Sequence, residues 1–250
     1  MTFWNFKPVI RNESDENSGE VVELRIEGDI VDDSSVWLYE WFDEPHTAPN
    51  KFRQELKQHE GKTLEVIINS YGGDVFAAAS IYDDLKKRTG TTIGIVSGKA
   101  MSAGSVILMG CDQVKVSPTA MIMIHDPLTY LGYGSLSDFE QVVNVLSAVK
   151  ETILNAYQLK TKKSRQELSD MMTMEKYMSA QEAVSLGFAD EILYNEDQTI
   201  QNMKGFSFER SAVLNSAKSP VKQMQNFIEQ KDESERVSEI ELLKLELDLM

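Results

Sequence analysis

The chain of 250 residues has one cysteine, Cys111, and three histidines, His46, His59 and His125. A lone cysteine excludes an intramolecular disulfide framework and every multi-cysteine metal site, and it points to a reducing cytoplasm. No H-E-x-x-H occurs and no two histidines stand at ligand spacing, so no metal site is expected. Basic residues are also short. Twenty-five Lys and Arg against 40 Asp and Glu leave a formal net charge of −15, which argues against unaided nucleic-acid binding. No apolar run approaches the roughly 20 residues of a membrane helix, so no membrane association is expected. The start, MTFWNFKPVIRN, lacks the apolar core of a secretory signal.

What is present is an ordinary globular composition, 42% hydrophobic and 26% charged, long enough for one large domain or two small ones. Residues 1–20 end in the polar run NESDENSGE and read as an arm. VVELRIEGDIV (21–31) alternates as a strand does, and LEVIIN (64–69) suits a strand buried on both faces. The run stops at SYGGD, and VFAAASIYDDLKKR (75–88) follows as an amphipathic helix. The cycle repeats with TTIGIVSG (91–98) as strand, KAM as turn and SAGSVILMG (102–110) as helix; AMIMIH (120–125) is a further strand. A long helix is predicted over 137–160, opened by a capping box of Ser137 with Glu140. Two more boxes are predicted at Ser164/Glu167 and Ser179/Glu182, with Gly187 as a left-handed helix stop. Strand–turn–helix units in succession argue for an α/β fold with mostly parallel pairing. The character changes near residue 196. Residues 229–250 hold eight acids against three bases, and the region 196–250 reads as an acidic tail, partly helical or disordered.

Three features bear on chemistry. His125 ends a buried strand, and in open α/β sheets the carboxyl edge of the strands is where ligands bind; the alternative is a core histidine bonded to backbone. In GKAMSAGS (98–105), Ser102 stands where a strand turns into a helix, so its hydroxyl can be exposed while helical amides face a developing anion. The alternative is a plain helix N-cap. In SYGGDV (70–75), adjacent glycines allow a sharp turn with N–H groups pointing outward, which fits an oxyanion hole, or a tight turn and no more. Cys111 is read as a small buried hydrophobe in mid-helix.

Taken in order, INSYGGDV, GKAMSAGS, MIHDP and SAQEAVSLGFADEI resemble the proteolytic subunit of the Clp protease over residues 21–195. The FWNFK start, the acidic tail and the short link from serine to histidine resemble the phage or prophage head-maturation branch of that family. The resemblance implies a repeated β-β-α superhelical fold shared with crotonases, with a long protruding helix, and a peptidase domain over 21–195. It implies Ser102 as nucleophile, His125 as general base and Glu175 in the place of the family's triad aspartate, which is a departure from the pattern. It implies the backbone amides of Gly73 and Ala103 as the oxyanion hole, with Leu128 and Gly72 near substrate. PLTYLGYG, after His125, replaces a more glycine-rich substrate-lining stretch, and the N-terminal region does not match the family's axial loops.

The activity implied is serine endopeptidase cleavage of peptides or proteins, with no cofactor. The implied assembly is a heptameric ring or a tetradecamer, and the implied partners are an unfoldase ATPase or capsid proteins. The location is the cytoplasm, or the host cytoplasm for a phage-encoded chain. Two rival readings stand beside this one: a catalytically silent assembly protein of the same fold, and a crotonase-type acyl-CoA enzyme. The latter needs a basic cluster for the CoA phosphates, and none is visible.

Overall fold

The computed structural model describes residues 7–9 and 21–194. The rest of the N-terminal arm and the acidic region 196–250 lie outside the described residues. The elements, in chain order, are β1 (Lys7–Val9), β2 (Val21–Ile30), α1 (Val36–Trp41), β3 (His46–Thr47), α2 (Pro49–Leu56), β4 (Thr63–Gly73) and α3 (Val75–Lys87). Then follow β5 (Thr92–Met101), α4 (Ala103–Leu108), β6 (Gln113–Val116), β7 (Met121–Ile124), α5 (Leu136–Thr161), α6 (Arg165–Thr173), β8 (Lys176–Ser179), α7 (Ala180–Ser185) and β9 (Glu191–Ile192). Residues 37–44 group apart from the larger compact unit, which holds the other described residues. Within that short stretch Trp37 and Trp41 are exposed.

The larger unit is a mixed α/β fold on one sheet of order β1-β2-β4-β5-β6-β9, with β7 pairing β5 and β8, and β3 pairing β2. All pairings are parallel except β1 with β2 and β7 with β8. The apolar run of β4 is central because Leu64, Val66, Ile67 and Ile68 are buried, with neighbours on both sides. Helix α3 buries Ala77, Ala78, Ile81 and Leu85, the spacing of a single helical face. Its N-cap is Asp74, whose carboxylate accepts from the Ala77 N–H at 2.7 Å.

Helix α5 divides along its length. Val149, Ile153, Leu154 and Tyr157 are buried in the second half, while Leu136, Phe139, Val143 and Val145 are exposed in the first. The predicted box at Ser137 and Glu140 is not the one formed: Ser135 caps the helix with Asp138. Gly134 precedes Ser135, and the helix begins two residues earlier than the Glu-based pattern suggests. The box at Ser179 and Glu182 is present, and Ser164 caps α6 by accepting from the Glu167 N–H. Gly187 adopts φ 82° and ends α7 as expected. Cys111 lies in the turn after the six-residue α4 rather than in mid-helix, and it is buried. KAM is not a turn: Lys99–Met101 is the end of β5 and pairs with Met121–Met123.

Candidate active site

Strands β5 and β7 are parallel neighbours with Met101 opposite Met123, so both leave the sheet at its carboxyl edge within a residue of one another. Ser102 follows β5 directly and His125 follows β7. The Ser102 N–H donates to the Met123 carbonyl at 2.9 Å, which ties the two exits together. Their side chains meet, with His125 Nε2 2.7 Å from Ser102 Oγ. Both residues are half-buried. Ser102 sits at φ 52°, ψ −125°, a conformation costly for any residue with a Cβ. It stands between the strand and α4, whose first residue is Ala103.

Strand β8 runs antiparallel beside β7 with Ile124 opposite Lys176. Glu175 immediately precedes β8, as His125 immediately follows β7. Glu175 is half-buried and left-handed, at φ 51°, where it closes α6 by donating its N–H to the Met172 carbonyl at 3.0 Å. Glycine or asparagine is the usual occupant of such a position. Asp126, the other nearby acid, is engaged elsewhere: Lys150 Nζ lies 2.7 Å from its Oδ1, and Thr173 Oγ1 donates to its Oδ2 at 3.0 Å.

The glycines of SYGGD end β4 and approach the same edge. Gly72, at φ 107°, packs its Cα against Ser102 and the Ala103 nitrogen, leaving no room for a Cβ. Gly73, at φ 145°, packs against the Ile30 backbone in the same way. The Gly72 N–H donates to Ser70 Oγ at 3.0 Å, and that hydroxyl donates to the Gly28 carbonyl at 2.6 Å. Ser70 is fully buried and holds the glycine turn against β2. Nothing in the SYGGDV pattern marks Ser70 for this task. Tyr157, on the apolar face of α5, is a buried phenol that needs a partner; that partner is Ser105, 2.8 Å away.

Beyond His125 the segment 125–134 has no regular structure, and Leu128 and Tyr130 are exposed on it. Thr129, Leu131 and Tyr133 line a cavity of about 360 Å³ with Val142, Val145 and Leu146 of the first half of α5. Among the described residues, no group of three His, Cys, Asp or Glu side chains is placed to hold a metal ion. No helix among them is long and apolar enough to cross a membrane.

The profile of the Clp protease family matches residues 52–196, more than half of the chain. The chain belongs to the Clp protease family. Subunit 1 of the proteolytic component of the ATP-dependent Clp protease from Chlamydia caviae is 30% identical over 192 residues, which cover 72% of this chain and 97% of that one. The proteolytic subunit from Deinococcus radiodurans is 31% identical over 151 residues, covering 59% of this chain and 72% of its own. The subunit from Marchantia polymorpha is 31% identical over 147 residues, covering 58% and 72%. The mostly parallel α/β sheet is that expected of a Clp protease family member. The matched span contains Gly72, Gly73, Ser102, Ala103, His125, Leu128 and Glu175.

Proposed function

We propose that this member of the Clp protease family is a serine endopeptidase whose nucleophile is Ser102, with His125 as general base and Glu175 orienting the imidazole. The observation that carries the reading is the 2.7 Å approach of His125 Nε2 to Ser102 Oγ at the carboxyl edge of neighbouring parallel strands. His125 takes the Ser102 proton as Oγ bonds to the peptide carbonyl carbon, and the carbonyl oxygen becomes an oxyanion held by the Gly73 and Ala103 amides. Each such donor is typically worth about 3 kcal/mol. The imidazolium then gives its proton to the leaving amine as the C–N bond breaks. In the second half water gives a proton to His125 and attacks the acyl-enzyme. His125 returns that proton to Ser102 Oγ as the ester bond breaks, and the peptide acid departs. Glu175 stabilises the imidazolium without being protonated itself.

The substrate is a peptide or protein chain, with Leu128 and Gly72 beside its path. The exposed apolar first half of α5 supports a homo-oligomer in which that surface is covered. The family resemblance supplies the heptameric ring, single or doubled. A dispersed monomer with full activity, by light scattering at micromolar concentration, would exclude it. The FWNFK start and the short link from Ser102 to His125 support the phage branch, with capsid protein as substrate and the host cytoplasm as location. Cleavage of a capsid precursor without any ATPase supports that assignment, and degradation only in the presence of an unfoldase opposes it.

A fluorophosphonate probe tests the core reading. Mass mapping is expected to find the adduct on Ser102, and His125→Ala is expected to abolish labelling. Labelling elsewhere, or peptidase activity retained by purified Ser102→Ala, overturns the assignment; triad loss otherwise costs about 10⁶ in turnover.

A further inference from the structure

Two buried hydroxyls stand behind the Ser102 turn without touching the reacting atoms. Ser105 Oγ donates to the Ser102 carbonyl oxygen at 2.6 Å and lies 2.8 Å from the Tyr157 hydroxyl. The serine has one proton and it is committed to the carbonyl, so the tyrosine is the donor of the second bond. Both side chains are fully enclosed, at 0% and 1% exposure. Burial raises the Tyr157 phenol well above its ordinary range, so it keeps its proton at neutral pH. Its ring is edge-on to Phe188 with centroids 5.6 Å apart, which fixes the direction of the hydroxyl.

The Ser102 carbonyl also accepts from the N–H groups of Ser105, at 2.9 Å, and Val106, at 3.3 Å. That carbonyl and the Ala103 N–H belong to one peptide unit. Density drawn onto the carbonyl oxygen is drawn from the nitrogen by amide resonance, and the N–H becomes a stronger donor. We propose that Tyr157 and Ser105 form a hydroxyl relay that strengthens the Ala103 N–H as an oxyanion donor, an inference that rests on the peptidase reading above. The relay runs from the Tyr157 O–H to Ser105 Oγ, from the Ser105 O–H to the Ser102 carbonyl, and from the Ala103 N–H to the oxygen of the substrate. No proton changes owner along it. Alanine and phenylalanine would fill nearly the same space without two buried polar groups to satisfy. Ser105 and Tyr157 are positioning residues, and their effect is greatest when the substrate oxygen carries full charge.

The test uses the full chain with a fluorogenic peptidyl amide, the trifluoromethyl ketone of the same peptide, and its analogue with the scissile carbonyl reduced to CH2. The ketone forms a charged hemiketal on the serine, and the reduced analogue cannot. Tyr157→Phe and Ser105→Ala are each expected to lower kcat/KM and weaken ketone inhibition by the same factor, roughly two- to eight-fold. Affinity for the reduced analogue is expected to stay constant. The double variant is expected to be no worse than the weaker single, because one chain is broken once. Tyr157→Phe carries the test alone if Ser105→Ala melts early. Unchanged ketone affinity in a folded variant, or equal losses for ketone and reduced analogue, overturns the relay. A wild-type chain that forms no adduct at Ser102 brings down the peptidase reading with it.

Discussion

A Cβ at Gly72 would stand 2.7 Å from the Cβ of Ser102 and 2.9 Å from the nitrogen of Ala103. The glycine is therefore part of the wall that holds Ser102. Gly72→Ala meets this crowding and also a left-handed φ of 107°. It is expected to cost about 1–3 kcal/mol of stability. Turnover should fall much further than the fraction folded, because Ser102 is displaced from His125. Parallel measurement of a denaturation curve and a fluorophosphonate labelling rate checks this. Wild-type labelling in a folded variant would contradict it.

Asp126 and Glu175 are the two candidates for the acid of the triad. Asp126 faces Lys150 and Thr173, whereas Glu175 directly precedes β8, whose Lys176 pairs with Ile124, the residue before His125. Glu175→Gln should lower turnover by orders of magnitude, since an amide cannot stabilise the imidazolium. Asp126→Asn should cost far less activity. Steady-state kinetics on one peptide at neutral pH decides between them, and the reverse ranking would refute the assignment of Glu175.

Burial pushes the Cys111 thiol up from its usual 9.0 to about 12. It stays protonated in the folded chain at neutral pH, so iodoacetamide should label it only after denaturation. The linkage has a definite sign. The stabilising effect is complete below pH 9.0 and is lost as pH rises toward about 12, because the unfolded chain releases this proton first. Replacing Cys111 by Ala should flatten that alkaline limb in a denaturant titration at several pH values.

Ser179 caps α7 by accepting from the Glu182 N–H, and Glu182 answers to the Ser179 N–H. Ser179→Ala is expected to cost about 1 kcal/mol. The carboxyl of Glu182 is held below its usual 4.5, first by Lys176 and then by the backbone of Ser179. Its contribution is present above pH 4.5 and declines as pH falls through the lowered value. Glu182→Gln should therefore narrow the stability difference between neutral and acid pH, as read from thermal melts.

Much of this architecture is written locally. The alternation of β2, the continuous apolar run of β4 and the i, i+3, i+4 spacing of α3 each specify their element without help from distant residues. Ser102 and His125 were legible because each ends a recognisable apolar strand. What local pattern misreads is the glycine-rich end of a strand. SYGG and KAM look like turns, yet Ser70 pairs with Ala100, and Lys99–Met101 pairs with Met121–Met123, so the sheet reaches further than either segment alone implies. β6 is four residues long and too short to carry a period. Ser105 and Tyr157 are 52 positions apart, and only folding brings their hydroxyls together.

The backbone at Ser102, at φ 52° and ψ −125°, is one that glycine adopts freely. Ser102→Gly should consequently raise stability, by roughly 1 kcal/mol once the greater freedom of unfolded glycine is subtracted from the relieved strain. On the peptidase reading proposed above, the hydroxyl is kept against the grain of folding. A lineage that stopped needing peptide cleavage would meet no thermodynamic resistance to losing it. Inert descendants that serve only as scaffolds lie one downhill substitution away from this chain.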